Sequence, residues 1–449
     1  MRESRVMTVR NEGSVTGMWR KLSLVVALAV LTACSALEDD DSQGPSDCSM
    51  ASQKQFVLDA MRDVYFWNTL LPANVSLASY AGPDDLLAYL ISFQPLDQFS
   101  YINTAEADSQ FFGEGQYLGF GFSFRFVGVD DIRITQVFDS SPAAPAGFSR
   151  GQRILALDGR SIAEIEAAEG IEMVLDRETL SFSLRNPDGS EFTVSVTKDV
   201  VTIDPLPQWR VIDTPGGSVG YMEFATFVST ADPVFDGIFA SFRQAGVADL
   251  ILDMRYNGGG LISTTELLGD FLGGGVAGGQ VFSRTLFNAN NSGANRTALF
   301  HQLFNSLNLS RLVVIATEST ASASELVINS MEPHVEVTIV GDTTFGKPVG
   351  QVGIEFCSKI LRATAFETVN SLNEGGYFGG LPADCAAADD LAIPVGDDQD
   401  PNLVTALDYL ANGACPVTAI PGPAKTATDA VPHRKYPHGP PWREFAGAY

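Results

Sequence analysis

The chain has 449 residues, 45% hydrophobic and 18% charged, which is too long for one ordinary domain and ample for several packed cores. Its formal net charge of -26 leaves no basic surface to neutralise phosphates, so nucleic acid is excluded as a partner. The acidic excess reads first as a solubility device, with basic substrates or salt tolerance as alternatives.

In chain order, Arg20 and Lys21 precede a short apolar run over 22–31. The run is too short to span a bilayer, which takes roughly 20 helical residues, and it has the layout of an export signal. It ends in Leu31-Thr32-Ala33-Cys34, which resembles a bacterial lipoprotein processing site with Cys34 as the lipidated residue. An ordinary secretory signal is the alternative. The residues before Met18 are unlike a signal, which makes Met18 a second candidate start. Residues 1–34 are thus expected to be a signal peptide and the acidic stretch 35–49 a tether. The expected location is exported, periplasmic and membrane-anchored through the lipid, with Ser35 compatible with the outer membrane. Setting Cys34 aside leaves Cys48, Cys357, Cys385 and Cys415, an even number suited to an oxidising compartment. Of the three possible pairings, separation and placement favour Cys357–Cys385 with Cys48–Cys415.

Residues 50–112 carry apolar positions at three- and four-residue spacing and are expected to form a helical domain, Pro83-Asp84-Asp85 opening its second helix. Over 113–200 the period shifts towards two. Strands are expected at 118–126, 132–137, 153–157, 180–184 and 192–196, with a short helix within 162–175. That describes a small, partly open β-barrel. Over 201–415 strands at 219–224, 250–254, 312–316 and 335–340 alternate with helices at 233–244, from 261 through 271, 322–331 and 402–410, which implies βαβ units and a parallel sheet. Residues 416–449, rich in Pro, Ala, His and Arg, are expected to be disordered.

The chemistry concentrates where apolar strands end. Ser322, within Ser319-Thr320-Ala321-Ser322-Ala323-Ser324-Glu325, lies between a strand and a helix, and Lys347 lies just past the next strand. A right-handed βαβ unit brings both positions to one sheet edge. A serine needs a base, and lysine serves only when neutral. Free lysine has a pKa near 10.4, so about one in a thousand is neutral near pH 7.4, and burial can lower it by roughly 3–5 units. Gln351 can orient the amine without adding charge. The N–H of Ala323 is one candidate oxyanion donor, and Gly259, or its neighbours Gly258 and Gly260, the second. Each piece alone reads as capping, packing or solvation. Together, and each at a strand end, the three point to one site.

Ser322-Ala323-Ser324-Glu325 with Thr344-Phe345-Gly346-Lys347 and Gln351 resembles the C-terminal processing (tail-specific) serine peptidase family. The resemblance makes Ser322 the nucleophile, Lys347 the base and Gln351 its partner. Pro348 departs from the family's glycine at that position and bears on the placing of Gln351. Asp253 to Gly260 resembles the family's glycine loop. Leu118, Gly119, Phe120, Gly121 and Phe122 resemble the carboxylate-binding loop and strand of its PDZ domain, and 96–101 the segment leading into it. The implied fold is a multidomain α/β protein: a crotonase-like ββα/βαβ peptidase core, an N-terminal helical segment and a small β-rich PDZ domain. The implied partners are polypeptides, possible guides being their free C-termini, with no cofactor and no metal.

Gly216-Gly217-Ser218-Val219-Gly220 matches the esterase pattern but precedes a strand rather than a helix, and is rejected. The four histidines offer no better triad. The rival reading is a catalytically silent lipoprotein on the same scaffold, holding peptides or an apolar ligand. A crotonase-like sheet acting on thioesters is the other, and leaves the PDZ segment and export signal unexplained.

Overall fold

The computed structural model describes residues 44–416 except Ser46 and Val129. The expected signal peptide with Cys34, most of the tether and the tail from 417 lie outside the described residues. The described residues belong to one compact unit.

The chain opens with α1 (Met50–Val64) and α2 (Pro83–Ile91). Pro83 sits in the first turn of α2, where its missing N–H costs nothing, and Asp84 and Asp85 face the positive end of the helix dipole. Val57, Leu58 and Met61 of α1 meet Leu86, Leu87 and Leu90 of α2 in one buried cluster. Strand β1 (Tyr101–Thr104) and helix α3 (Ala105–Glu114) follow.

Next comes the β-rich region: β2 (Gln116–Gly119), β3 (Phe122–Phe126), β4 (Ile132–Val137), β5 (Arg153–Leu157), β6 (Arg160–Ser161), α4 (Ile162–Ala168), α5 (Ile171–Leu175), β7 (Thr179–Arg185), β8 (Glu191–Thr197) and β9 (Asp199–Thr202). The stretch expected as one strand over 118–126 is two, broken at Gly121, whose φ is 90°. β2 pairs with β9, whereas β3 forms the edge of an antiparallel sheet in the order β3-β4-β5-β7-β8, with β6 on β5. The expected single helix within 162–175 is also two, divided at Gly170, again at positive φ.

The remaining elements are β10 (Trp209–Thr214), β11 (Gly217–Glu223), α6 (Asp232–Gln244), β12 (Asp249–Asp253), α7 (Ile262–Ala277), β13 (Val281–Phe287), β14 (Arg296–Leu299), β15 (Arg311–Ala316), α8 (Ala323–Met331), β16 (Glu336–Gly341), β17 (Val349–Phe356), β18 (Lys359–Val369), β19 (Cys385–Ala386) and α9 (Pro401–Asn412). Six of the strands make the central sheet, ordered β10-β11-β12-β15-β16-β19 and parallel from β11 onward. The middle of β12 (Leu250 to Leu252) and β15 from Leu312 to Ala316 are apolar because helices cover both faces. On one face α6 buries Phe235, Ile238, Phe239 and Phe242, a helical stripe, in the largest core; on the other lie Leu403, Ala406 and Leu410 of α9. Helix α7 runs past the expected end at 271, and its Gly274 and Gly275 lie where any side chain would strike the carbonyls of His301 and Leu307.

A second sheet was not anticipated. Its order is β1-β18-β13-β14, with β17 also on β18, all antiparallel. The N-terminal segment thus adds a strand to the sheet that carries Gln351, and α1 and α2 pack against its Phe356, Leu361 and Ala363.

The disulfides are Cys48–Cys357 and Cys385–Cys415, not the expected Cys357–Cys385 and Cys48–Cys415. Cys357 caps the β17–β18 hairpin, against which α1 packs, so it meets Cys48, two positions before α1. Cys385 lies in β19 beside α9 and meets the cysteine just beyond that helix.

Candidate active site

Three loops meet at the carboxyl edge of the central sheet: 254–261 after β12, 317–322 after β15 and 342–348 after β16. Since β12, β15 and β16 are adjacent and parallel, their ends are neighbours. Ser322 forms the N-cap of α8 at φ 58° and ψ -114°, a left-handed turn that a side chain adopts only under strain. Ala323 opens the helix, and the first N–H groups of a helix have no partner within it.

The glycine loop lies against this turn. A Cβ on Gly259 would come within 2.8 Å of the Ala321 oxygen, the Ala323 nitrogen and the Ser322 Cβ, so only glycine fits. Asn257 binds the two loops together: its carbonyl accepts from Ala321 N–H (3.0 Å) and the Ser324 hydroxyl (2.9 Å). Its Oδ1 accepts the Gly259 N–H at 2.9 Å. Gly259, the glycine favoured from the sequence as second oxyanion donor, therefore has its N–H already engaged.

Lys347 is 7% exposed, and its Nζ donates to Gln351 Oε1 at 3.0 Å. Pro348 does not displace Gln351 from this contact; the β17 register shifts between Gly350 and Gln351. Gln351 Nε2 in turn donates to the Phe99 carbonyl, and the Phe99 ring centre lies 5.1 Å from Lys347 Nζ.

Glu325 is fully buried and fastens the serine turn to the lysine turn. Its carboxylate accepts the N–H groups of Ser322 (2.9 Å), Gly346 (2.7 Å) and Lys347 (2.8 Å) and the Thr344 hydroxyl (2.5 Å). Burial pushes the Glu325 carboxyl above its ordinary range, against the pull of those donors towards the ionised form.

Ser322, Ala323, Gly258, Gly259, Gly260, Lys347 and Gln351 all line one cavity of about 240 Å³. Its remaining wall is largely apolar, including Phe111, Phe112, Leu261, Leu326, Val349 and Phe366. Arg362 also reaches it, paired with Asp108 of α3. Leu118, Gly119, Phe120, Gly121 and Phe122 do not line this cavity; they lie in the β-rich region, Leu118 63% exposed and Phe120 and Phe122 buried. Cys34 lies outside the described residues. Glu325 and Phe99 were missed as site residues. A glutamate three positions after a serine at a helix start is a capping-box signal, so Glu325 had a trace in the sequence, whereas nothing local pointed to Phe99.

The family model for Peptidase family S41 matches residues 218–376, and that for the Peptidase S41 N-terminal domain matches 52–101. The carboxyl-terminal-processing protease of Picosynechococcus is 26% identical over 225 residues, 49% of this chain and 51% of the relative. The chloroplastic C-terminal processing peptidase of Tetradesmus obliquus is 26% identical over 270 residues, 54% of this chain and 53% of the relative. The chain thus spans about half the length of the curated relatives it matches. Among solved structures, a Bacteroides fragilis chain described as an S41 protease aligns with TM-score 0.62 at 22% identity, over 79% of this chain and 97% of its own. The photosystem II D1 C-terminal processing protease aligns with TM-score 0.53 at 20% identity, over 82% and 99%.

Proposed function

Because the chain belongs to peptidase family S41, we propose that it is a serine endopeptidase in which Ser322 is the nucleophile and Lys347 the general base. The observation that carries this reading is that both residues line one cavity while a single buried carboxylate, Glu325, holds their two turns. Neutral Lys347 takes the proton of the Ser322 hydroxyl as Oγ attacks the peptide carbonyl. The Ala323 N–H, with that of Gly258 or Gly260, receives the oxyanion. Lys347 then gives its proton to the departing amine, and water, deprotonated in the same way, releases the acyl group from Ser322. Gln351 keeps the amine in place without a charge that would hold it protonated.

Residues 201–415 act as the crotonase-like core, 50–112 as an N-terminal helical domain and 113–200 as a PDZ domain. The edge position of β3 suits the last role, since an extended peptide can add to an open strand with its terminal carboxylate at 118–122. Substrates are therefore polypeptides guided by their C-termini. Two disulfides and the signal ending at Cys34 support an exported, lipid-anchored protein. Among the described residues no helix is long and apolar enough to cross a membrane.

The test is cleavage of casein by the chain lacking residues 1–34, beside folded Ser322→Ala and Lys347→Ala variants. Loss of cleavage in both is expected. Cleavage that survives Ser322→Ala would reject the nucleophile, and a folded wild type that cleaves nothing, with peptides of free C-terminus added, would favour a silent binding protein.

A further inference from the structure

On the side of the lysine away from the cavity lining, the segment 97–100 makes a tight turn in which Asp97, Phe99 and Ser100 are buried and Gln98 is exposed. Asp97 is 1% exposed, and its Oδ1 accepts the N–H groups of Phe99 and Ser100, each at 3.0 Å. The same oxygen accepts the Thr364 hydroxyl at 3.1 Å, while Oδ2 accepts the Ser100 hydroxyl at 2.7 Å. Ser100 Oγ accepts the Thr364 N–H at 2.9 Å, so the turn is bolted to β18. A buried carboxylate satisfied by four donors is a rigid anchor.

Phe99 stands at the tip of this turn and touches both members of the Lys347–Gln351 pair. Its carbonyl receives the Gln351 amide, and its ring covers Lys347 Nζ. The ring also belongs to a small apolar cluster with Ala321 of the serine loop, Phe345 of the lysine loop, Val349, Trp67 and Phe378. Phe99 does not line the cavity where a substrate would lie.

We infer that Phe99, fastened by Asp97, is a positioning residue that holds Lys347 and Gln351 for proton transfer and keeps water from the back of the amine. The inference rests on the Ser322–Lys347 reading. With the ring removed, water reaches the amine and favours its charged form, leaving fewer neutral lysines. The attraction of a ring face for an ammonium works the other way, and it is the smaller effect because full hydration stabilises the charge more than one aromatic contact. Charged or titratable groups near this cluster include Glu325 of α8, held by its four donors, with Tyr377 near it; Arg362 of β18, paired with Asp108 of α3; Tyr101 of β1; and Asp97 with Tyr65 beside it.

Two measurements on the full chain test this. In the Ser322→Ala background, an NMR titration of ¹³Cε-labelled lysines follows Lys347 with and without Phe99→Ala. The midpoint is expected to rise by about one pH unit or more, and by less for Phe99→Leu, which keeps the site dry. With Ser322 intact, kcat and KM are measured from pH 6 to 10 on a peptide taken from the casein digest. Phe99→Ala is expected to lower kcat about 10- to 100-fold at pH 7, with KM within about twofold and the rising limb moved to higher pH. Asp97→Asn, which leaves the ring in place, is expected to move both readouts in the same direction by less, and serves if Phe99→Ala does not fold. An unmoved titration, or a kcat loss that tracks melting temperature with no shift of the limb, overturns the inference. A wild type that cleaves nothing while the titration still moves would reject the peptidase reading and leave the hold of Phe99 on the amine standing.

Discussion

Two buried cations stand at the same edge of the central sheet, and their surroundings are opposites. Arg255, 1% exposed in its side chain, is met by the carboxylates of Asp253, Asp400 (3.2 Å) and Asp389 (3.5 Å). Asp389 also receives Arg150 at 2.5 Å, Arg125 at 3.1 Å and the Tyr256 hydroxyl, joining the β-rich region to the core. Burial works against the Arg255 charge, but Asp253 and Asp400 overrule it and hold the guanidinium firmly protonated. Burial likewise opposes the charge on Asp389, and the arginines Arg150, Arg125 and Arg255 hold its carboxyl below the usual range. Lys347 instead gives its proton donor to a neutral amide and lies under an aromatic ring. A cation saturated with carboxylates is a fixed structural tie; a cation offered a neutral acceptor can release its proton. On the proposed reading, the same burial serves architecture in one case and chemistry in the other.

The comparison breaks most sharply in Lys347→Met. Activity is expected to fall on the order of 10⁴-fold or more while stability to urea is kept or raised, because only a buried amine is lost. Arg255→Met should do the reverse of preserving the fold: with Asp253, Asp389 and Asp400 left facing one another, urea denaturation is expected to show a loss of about 3–5 kcal/mol. Gln351→Glu sharpens the contrast by giving Lys347 a partner of the kind Arg255 has. The carboxylate favours the ammonium, so kcat at pH 7 is expected to fall about 10- to 100-fold and to recover as pH is raised. A kcat unchanged by that substitution would sink the argument from neutrality.

The smallest effect belongs to Glu223, at the end of β11 beside Asp253. Burial, then the Asp253 charge, pushes its carboxyl up to about 7 against the opposing pull of Gln208, Arg255 and Arg150. Folded protein thus keeps a proton that the unfolded chain releases near the ordinary carboxyl value of about 4.3. Stability is expected to fall as pH rises between those values, by at most about 1.4 kcal/mol per pH unit, and to level off above pH 7. Glu223→Gln should flatten that slope in thermal melts recorded at pH 5, 6, 7 and 8.

What could be read from the sequence was what local pattern carries. The apolar runs at 250–254 and 312–316 are strands because a parallel sheet buries both faces, and a serine or lysine just beyond such a run must lie at the sheet edge. The strands at 349–356 and 359–369 gave no such signal. Glycines interrupt the first, whose residues alternate only weakly between exposed and half-buried, so the sheet carrying Gln351 was invisible until its partner β1 came into place. The disulfides failed as an expectation for a related reason. Pairing depends on which elements pack together, and sequence separation says nothing of Cys357 meeting Cys48. Glu325 left the trace of a capping box, but its reach to Gly346 and Lys347 is a property of the assembled sheet.

Phe99 and Lys347 touch although they are far apart in sequence, and Cys48 meets Cys357 across 309 residues. Contacts of such separation are slow to form, since the chain must give up the entropy of a long loop before they return anything. The strand-to-helix turn that presents Ser322 is a local product of β15 and α8, whereas the lysine's supports wait for the first helices to dock on β18. A partly folded chain would therefore present Ser322 before the supports of Lys347 are in place. On the proposed reading, competence to cut would arrive only with completed folding, which would keep a nascent or damaged molecule from cutting its neighbours.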